Sequence, residues 1–299
     1  MHRLARAAAT AALVLAVMGC QPASPTASTL VVGTLPPGGF IPVIVNLEFG
    51  VGPNHVVMTV LDANNVPSAS PDRHATLQFT PAAGGPDATA SPVAFEWGIT
   101  GSVGFYITDV NLPTAGSWQA TMTLSGPGSA NSTTSVGFEV KAKTSAVAIG
   151  QPAPSIKTPT AADVGGNLKK ISTDPTPDPR FYQTSEDAAL AAHKPFVLVF
   201  ATPAFCQSAI CGPALDHVKR LFPSYPDMTF IHVEPYEMTF TDGRLQPTGG
   251  QLTSNAITNA WGILSEPWIY VVDRTGIVRA SFPSVFSDAE FQAAIDAVK

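Results

Sequence analysis

The feature that most constrains this chain is a buried-strand pattern followed at once by two cysteines and a helix. Residues 196–201, FVLVFA, are all apolar and rich in Val and Phe, which predicts a buried central strand that ends at Thr202. Cys206 and Cys211 follow, and residues 214–222 place their apolar side chains on one stripe of a predicted helix. A cysteine between a strand and a helix start lies at the positive end of the helix dipole, which stabilises the thiolate and lowers its pKa. The stretch therefore predicts thiol–disulfide chemistry.

The cysteine pair, the proline at 213 and the later segment SEPWIYVVD resemble the active-site region of thioredoxin-fold proteins over residues 181–299. The resemblance implies that Cys206 is the attacking nucleophile and Cys211 the resolving thiol. It also implies that Pro267 carries a cis peptide bond facing the cysteines. The sequence departs from the family pattern because four residues separate the cysteines, C-x4-C, where the family has C-x-x-C.

This spacing leaves three interpretations open. On a regular helix, residues five apart have Cα atoms roughly 8.6 Å apart, whereas a disulfide needs about 4.4–6.8 Å. A redox pair therefore requires Cys206 to lie before the helix or the first turn to be distorted. The alternatives are a non-catalytic binding module with a structural disulfide, and a copper-handling site in which thiolates bind Cu(I). His217 and His232 are poorly placed for the last, so we assign no metal and no other cofactor.

The N-terminus predicts export and lipid anchoring. Arg3 and Arg6 precede an apolar run at residues 7–18, typical of a signal peptide over residues 1–19. The residues Val-Met-Gly-Cys at 17–20 resemble a bacterial lipobox, which implies cleavage before Cys20 and acylation of its sulfur; an ordinary secretory signal is the alternative. Residues 20–29 form a tether. We therefore expect an extracytoplasmic, membrane-anchored lipoprotein on the periplasmic or cell-surface side, with Cys206 and Cys211 as its only intramolecular pair.

The composition limits the classes of molecule that this protein is expected to bind. The formal net charge is −6 and charged residues make up 13% of the chain, without basic clusters. Such a chain is a poor candidate for binding nucleic acid. The expected partners are protein thiols or disulfides, with the membrane contacted through the lipid on Cys20.

Residues 30–143 predict an immunoglobulin-like β-sandwich. Short alternating apolar stretches occur at residues 41–49, 55–62, 76–79, 93–97, 103–110, 118–124 and 134–141, with Gly, Pro, Asn and Asp between them. The turn LPTAGSW at residues 112–118 resembles one in bacterial immunoglobulin-like sandwiches. The histidines at 55 and 74 lack a metal-ligand spacing, so both are expected to be ordinary surface or capped residues and not metal ligands.

Residues 144–180 are rich in proline and predict an extended linker. Residues 181–299 then predict helices and strands in the order α-β-α-β-α-β-β-α, with a capping box at Ser287. The expected fold class is multidomain, an all-β immunoglobulin-like sandwich followed by an α/β thioredoxin-like domain. Glu234, Tyr236 and Glu237 end one strand and are candidate proton carriers. The predicted function is that of a lipid-anchored thiol–disulfide oxidoreductase.

Overall fold

Two four-stranded sheets pack face to face in the first half of the chain, as the alternating apolar pattern predicts. The structure, a computed structural model, describes residues 38–128 and 131–299; Cys20, the signal peptide and the tether lie outside these residues. One sheet has the order β1-β3-β6-β5 and the other β2-β8-β7-β4. The strands are β1 Ile41–Ile44, β2 Phe49–Gly50, β3 Gly52–Leu61, β4 His74–Pro81, β5 Ala94–Ile99, β6 Val103–Leu112, β7 Gly116–Ser125 and β8 Ser132–Lys141.

The sandwich core consists of the inward-facing residues of both sheets, because successive side chains of a strand point to opposite faces. It contains large buried side chains from both sheets, among them Phe79, Tyr106, Trp118 and Met122. This half is therefore an immunoglobulin-like β-sandwich, as expected from the sequence.

The stretch at residues 41–49 was expected to form one strand and instead forms two, which join different sheets. Strand β1 pairs with β3, whereas β2 pairs with β8. The side chain of Asn46 lies at the break: its amide donates to the carbonyl oxygen of His55 at 2.8 Å and its oxygen accepts from the N–H of Val57 at 2.7 Å. A side chain that satisfies backbone groups lets the ladder end without unpaired donors.

The proline-rich segment at residues 144–180 lies against both neighbouring parts. Glu48 accepts hydrogen bonds from the backbone N–H groups of Ser145 and Ala146 at 3.0 and 2.8 Å. Further on, Pro152 forms a β-bridge with Ile277. Three short 3-10 helices lie in or at the end of this segment, at Ala162–Val164, Leu168–Lys170 and Pro179–Tyr182.

The second half contains a mixed sheet of order β10-β9-β13-β14. Strand β9 is fully buried, pairs in parallel with β10 and runs antiparallel to β13. A hairpin, β11–β12, stands apart from this sheet. The strands are β9 Phe196–Phe200, β10 Thr229–Val233, β11 Met238–Thr241, β12 Arg244–Pro247, β13 Trp268–Val272 and β14 Val278–Pro283.

Four short α-helices flank this sheet: α1 Glu186–Ala191, α2 Cys211–Leu221, α3 Ala256–Trp261 and α4 Asp288–Asp296. The predicted capping box is present at α4, where Ser287 and Glu290 bond each other's backbone N–H groups. No helix among the described residues is long and apolar enough to span a bilayer.

The two halves share buried contacts. Val57 and Phe105 of the sandwich pack with Ile210 and Val285 of the second half in one apolar cluster. Residues Leu35–Lys299 accordingly form one compact unit.

The expected fold class is wrong in its second part. Strands dominate the described chain, and the α-helices have only 6, 11, 6 and 9 residues. The hairpin β11–β12 also stands between β10 and α3, where no strand was expected. Its turn is the dipeptide Asp242-Gly243, in which both residues have positive φ, the geometry of the tightest hairpin turns. The protein is thus predominantly β, and the two-part description with an α/β thioredoxin-like domain does not hold.

Candidate functional site

Cys206 lies in the middle of the loop between β9 and α2, and Cys211 is the first residue of α2. The carbonyl oxygen of Thr202 accepts from the N–H groups of Phe205 and Cys206, at 3.1 and 3.0 Å, which folds the chain back directly after the strand. A second turn follows, closed by the N–H of Ala209 donating to the Cys206 carbonyl at 3.2 Å. Helix α2 begins at Cys211. Cys206 therefore lies before the helix, one of the two arrangements that the C-x4-C spacing required.

The sulfur of Cys206 caps helix α2. Ile210 occupies the N-cap position and its side chain makes no capping hydrogen bond. The N–H of Cys211 donates to Cys206 Sγ at 3.2 Å instead, and Ser208 Oγ lies 3.3 Å from the same sulfur. The first N–H groups of a helix lack intrahelical partners and form its positive end. Cys206 Sγ thus occupies a position that favours a negative charge.

These contacts make the two thiols unequal. The hydrogen bond from the Cys211 side chain, with that from Ser208 and the backbone N–H groups, lowers the pKa of Cys206 to about 5, against the opposing effect of partial burial. The pKa of Cys211 is raised, because its thiol donates to Cys206 and is buried. Both cysteines are free thiols in the structure, Cys206 half-buried and Cys211 fully buried. These shifts favour a thiolate at half-buried Cys206 and a neutral thiol at buried Cys211.

A carboxyl group completes the cluster. The peptide bond between Glu266 and Pro267 is cis, and the ligand atoms of Glu266, Cys206 and Cys211 all lie within 4.8 Å of one another. Desolvation raises the pKa of Glu266, and Tyr236 donates to its Oε2 at 2.6 Å. The sequence reasoning named Pro267 and missed its neighbour Glu266; the available signal was an acidic residue directly before that proline.

Of the three predicted proton carriers, only Tyr236 reaches the site, through Glu266. Glu234 is buried with its Oε1 accepting from the backbone N–H of Thr173 at 2.5 Å, and desolvation raises its pKa to about 7. The backbone of Glu237 pairs with Thr253 and Thr248 beside the hairpin.

Next to the cysteine loop, Phe205 and Ala204 line a cavity of about 470 Å³. Lys169 and Asp174 from the linker and Arg244 from β12 bring charges of both signs to its wall. Cys206 itself does not line this cavity.

A second cluster of potential metal ligands lies where the halves meet. Buried His55 places Nδ1 3.0 Å from Asp109 Oδ1 and 3.7 Å from Glu290 Oε1, and its Nε2 donates to the carbonyl oxygen of Val285 at 3.0 Å. The histidines weighed as copper ligands lie elsewhere: His217 bonds Asp288, and His232 bonds Tyr182. Cys206, Cys211 and Glu266 are thus the only described ligand cluster that contains sulfur.

The comparisons with known proteins identify no family for this chain. No family model matches the sequence, and no curated protein matches it. The expected membership of the thioredoxin family is wrong, because strands dominate the described residues and their α-helices are few and short.

The matches to solved structures are weak. A DUF4426 family protein from Pseudomonas aeruginosa is 12% identical, covers 35% of this chain and 90% of its own, and has a TM-score of 0.26. The Lin-41 filamin domain is 12% identical, with coverages of 34% and 93% and a TM-score of 0.21. The Escherichia coli adhesin FdeC is 17% identical over 40% of this chain and 37% of its own, with a TM-score of 0.23. At these scores the similarities give no information about function.

Proposed function

We propose that this protein carries out thiol–disulfide exchange, with Cys206 as nucleophile and Cys211 as resolving thiol. The observation that supports this most strongly is geometric: Cys206 Sγ accepts from the N–H of Cys211 at 3.2 Å at the start of α2, with the Cys211 thiol fully buried behind it. The same contacts lower the pKa of Cys206 and raise that of Cys211. At neutral pH such a pair presents one thiolate to a partner and holds the second thiol protonated behind it. Thiolates are the attacking species in disulfide exchange.

The exchange proceeds in two balanced steps. The Cys206 thiolate attacks one sulfur of a partner disulfide, the partner S–S bond breaks, and the released partner thiolate takes up a proton. Cys211 then loses its proton and attacks Cys206 Sγ, which forms the internal disulfide and releases the second partner thiol. Two electrons pass from the cysteine pair to the partner, and the reverse sequence oxidises a partner dithiol.

The low pKa of Cys206 favours the oxidising direction. Because the thiolate stabilises the reduced pair, its disulfide accepts electrons more readily than an ordinary structural disulfide. We expect a reduction potential between about −270 and −120 mV, toward the less negative end. A potential below about −300 mV would instead identify a structural disulfide in a binding module.

Glu266 is suited to move the proton in the second step. Its carboxyl lies within 4.8 Å of both sulfurs, and desolvation raises its pKa, which makes it a better proton acceptor. A carboxylate at this place can accept the Cys211 proton when the mixed disulfide forms, and Tyr236 orients it by hydrogen bonding.

The test is exchange with a disulfide-bonded protein substrate, using a chain with Cys20→Ser so that Cys206 and Cys211 are its only thiols. We expect Cys206→Ser to abolish exchange and Cys211→Ser to accumulate a mixed disulfide visible on a non-reducing gel. Full activity of the Cys206→Ser variant would refute the mechanism.

A second candidate is binding of a soft metal at the same cluster. Two sulfurs and a carboxylate oxygen within 4.8 Å could ligate Cu(I), which prefers thiolates. Anaerobic titration of the reduced protein with Cu(I) against a competing chelator distinguishes metal binding from disulfide exchange. Tight stoichiometric binding without exchange activity would favour metal handling.

We also propose that the chain is exported and lipid-anchored through Cys20, on the support of the charged start, the apolar run and the lipobox-like residues alone. Metabolic labelling with a radioactive fatty acid tests this. Label should enter the wild-type protein and be lost in Cys20→Ala, while labelling that persists in the variant would contradict the anchor.

A further inference from the structure

The residue that joins the cysteine loop to α2 is fixed by the other half of the molecule. Ile210 lies at the N-cap of α2, directly before Cys211, and its carbonyl oxygen accepts from the N–H of Ala214 at 2.8 Å. Its side chain is only 5% exposed although it stands at the end of a loop. A large apolar side chain that is buried at such a position acts as an anchor.

The β-sandwich supplies most of the anchor's surroundings. Val57 of β3 and Phe105 and Ile107 of β6 pack around Ile210, and Val285 closes the cluster from the second half. All four are nearly inaccessible to solvent. The side chain beside Cys211 thus inserts into an apolar site belonging mainly to the sandwich.

Gly98 of β5 makes room for this insertion. A Cβ atom at position 98 would lie 2.8 Å from Ile210 Cγ2 and 2.4 Å from Phe105 Cε2, both closer than real contacts allow. Any side chain there would have to push Ile210 or Phe105 aside. The site for Ile210 therefore depends on the absence of a side chain on a strand more than a hundred residues before the cysteines.

The backbone between the cysteines gives the anchor its effect. Ala209 has φ +60°, a left-handed conformation that is unfavourable for a residue with a Cβ and persists only where its surroundings enforce it. Immediately after it, the anchored Ile210 sets the position of the Cys211 N–H, which donates to Cys206 Sγ at 3.2 Å. A hydrogen bond weakens steeply with distance and misalignment, so release of Ile210 would remove stabilisation from the thiolate.

We propose that the β-sandwich is a working part of the thiol site: it holds Ile210, and through Ile210 it positions the Cys211 N–H that donates to Cys206 Sγ. Ile210 is a positioning residue and Gly98 is its counterpart on the sandwich. The inference deepens the proposed exchange function by naming what controls its nucleophile. Its readout is the ionisation of Cys206, which needs no partner protein.

The decisive experiment compares two glycine substitutions in the sandwich, both in the full chain with Cys20→Ser. Gly98→Ala crowds Ile210. Gly104→Ala is the matched control, since its Cβ would lie 2.6 Å from Phe95 and 3.2 Å from the Ala69 carbonyl oxygen, so the residues it crowds first do not include Ile210. The pH dependence of iodoacetamide alkylation reports the Cys206 midpoint, and thermal unfolding is followed in parallel.

We expect the alkylation midpoint to lie near 5 in the parent protein, to rise in Gly98→Ala, and to stay at the parent value in Gly104→Ala. Below the midpoint, at about pH 4, each rise of one in the pKa lowers the alkylation rate about tenfold. An unchanged midpoint in folded Gly98→Ala would overturn the inference. Equal shifts in both variants would overturn it too, because general destabilisation would then suffice.

A second pair covers the case in which Gly98→Ala does not fold. Ile210→Ala removes the anchor without crowding, whereas Ile210→Val keeps the branched side chain and should restore the parent midpoint. Folded Ile210→Ala with the parent midpoint would refute the role of Ile210. If exchange activity is absent in every protein while the midpoints still follow this order, the proposed exchange fails and the positioning role stands.

Discussion

Two clusters of reactive side chains in this molecule look alike by distance and differ in chemistry. Cys206, Cys211 and Glu266 place their ligand atoms within 4.8 Å of one another, and so do His55, Asp109 and Glu290. The clusters lie on either side of the same apolar contact between the two halves, since His55 bonds Val285 and Ile210 precedes Cys211. Proximity alone does not distinguish them.

Hydrogen bonding distinguishes the two clusters. In the histidine cluster every group has a fixed partner: both ring nitrogens of His55 are bonded, and Glu290 closes the capping box of α4. In the cysteine cluster two identical side chains are driven in opposite directions, because one sulfur accepts and the other donates. The first arrangement is a structural tie between the halves. The second holds a difference in protonation that can be used in a reaction.

This comparison predicts that changes in the cysteine cluster alter reactivity, whereas changes in the histidine cluster alter stability.

The largest effect is expected from Cys211→Ala. The Cys211 thiol is the first cause of the low Cys206 pKa, so its removal should raise that pKa toward the ordinary value of 9.0. The alkylation rate at about pH 6 should fall at least about tenfold. Absorbance at 240 nm, which follows thiolate formation, measures the shift. A Cys206 titration that stays at its original midpoint would mean that the helix N-terminus alone stabilises the thiolate.

Next in size is His55→Ala. The variant leaves the Val285 carbonyl without its donor and opens a cavity, so the free energy of unfolding should fall by about 2–4 kcal/mol. Urea denaturation measures it. His74→Ala is the control, since His74 is exposed on β4 of the same sandwich and should change stability little. Equal losses in both variants would contradict the structural tie.

A smaller effect is expected on the pH dependence of the stability of the reduced protein, to which Cys206 contributes. Its folded pKa, about 5, lies below the ordinary 9.0, so its contribution is present above about 9 and is lost as pH falls through 5. The stability difference between the reduced parent and Cys206→Ser should therefore grow from pH 5 to 9, by about 2 kcal/mol after discounting for the half-exposed sulfur. Denaturation series in reductant test this. A difference that is flat with pH would argue against the lowered pKa.

The smallest effect is expected from Ser208→Ala. Its hydroxyl lies 3.3 Å from Cys206 Sγ and contributes less than the Cys211 thiol. The Cys206 midpoint should rise by less than in Cys211→Ala, with a loss of stability under about 1 kcal/mol because the site is at the surface. A rise as large as that in Cys211→Ala would reverse the order of the two hydrogen bonds.

The sequence was enough to predict the strand, cysteines and helix of the site, but not the residues that surround them. The run of residues 196–200 specifies a buried strand, and the apolar stripe of α2 specifies a helix, so Cys206 could be placed between them. Glu266 and Ile210 could not be placed, because their roles depend on contacts across 60 and roughly 100 residues of chain. The hairpin β11–β12 was missed because its strands are only four residues long, although Asp242-Gly243 is a strong turn signal.

By itself, the sequence determined the strand-rich sandwich, the strand–cysteine–helix order and the helix cap at Ser287. These features follow from side-chain period and local hydrogen bonding, which act within a few residues. The tertiary structure alone decided that Cys211 is fully buried, that a carboxyl joins the pair, and that the sandwich contacts the cysteine loop. Ionisation depends on burial and on donors brought together from distant segments, and one-dimensional patterns do not record those contacts.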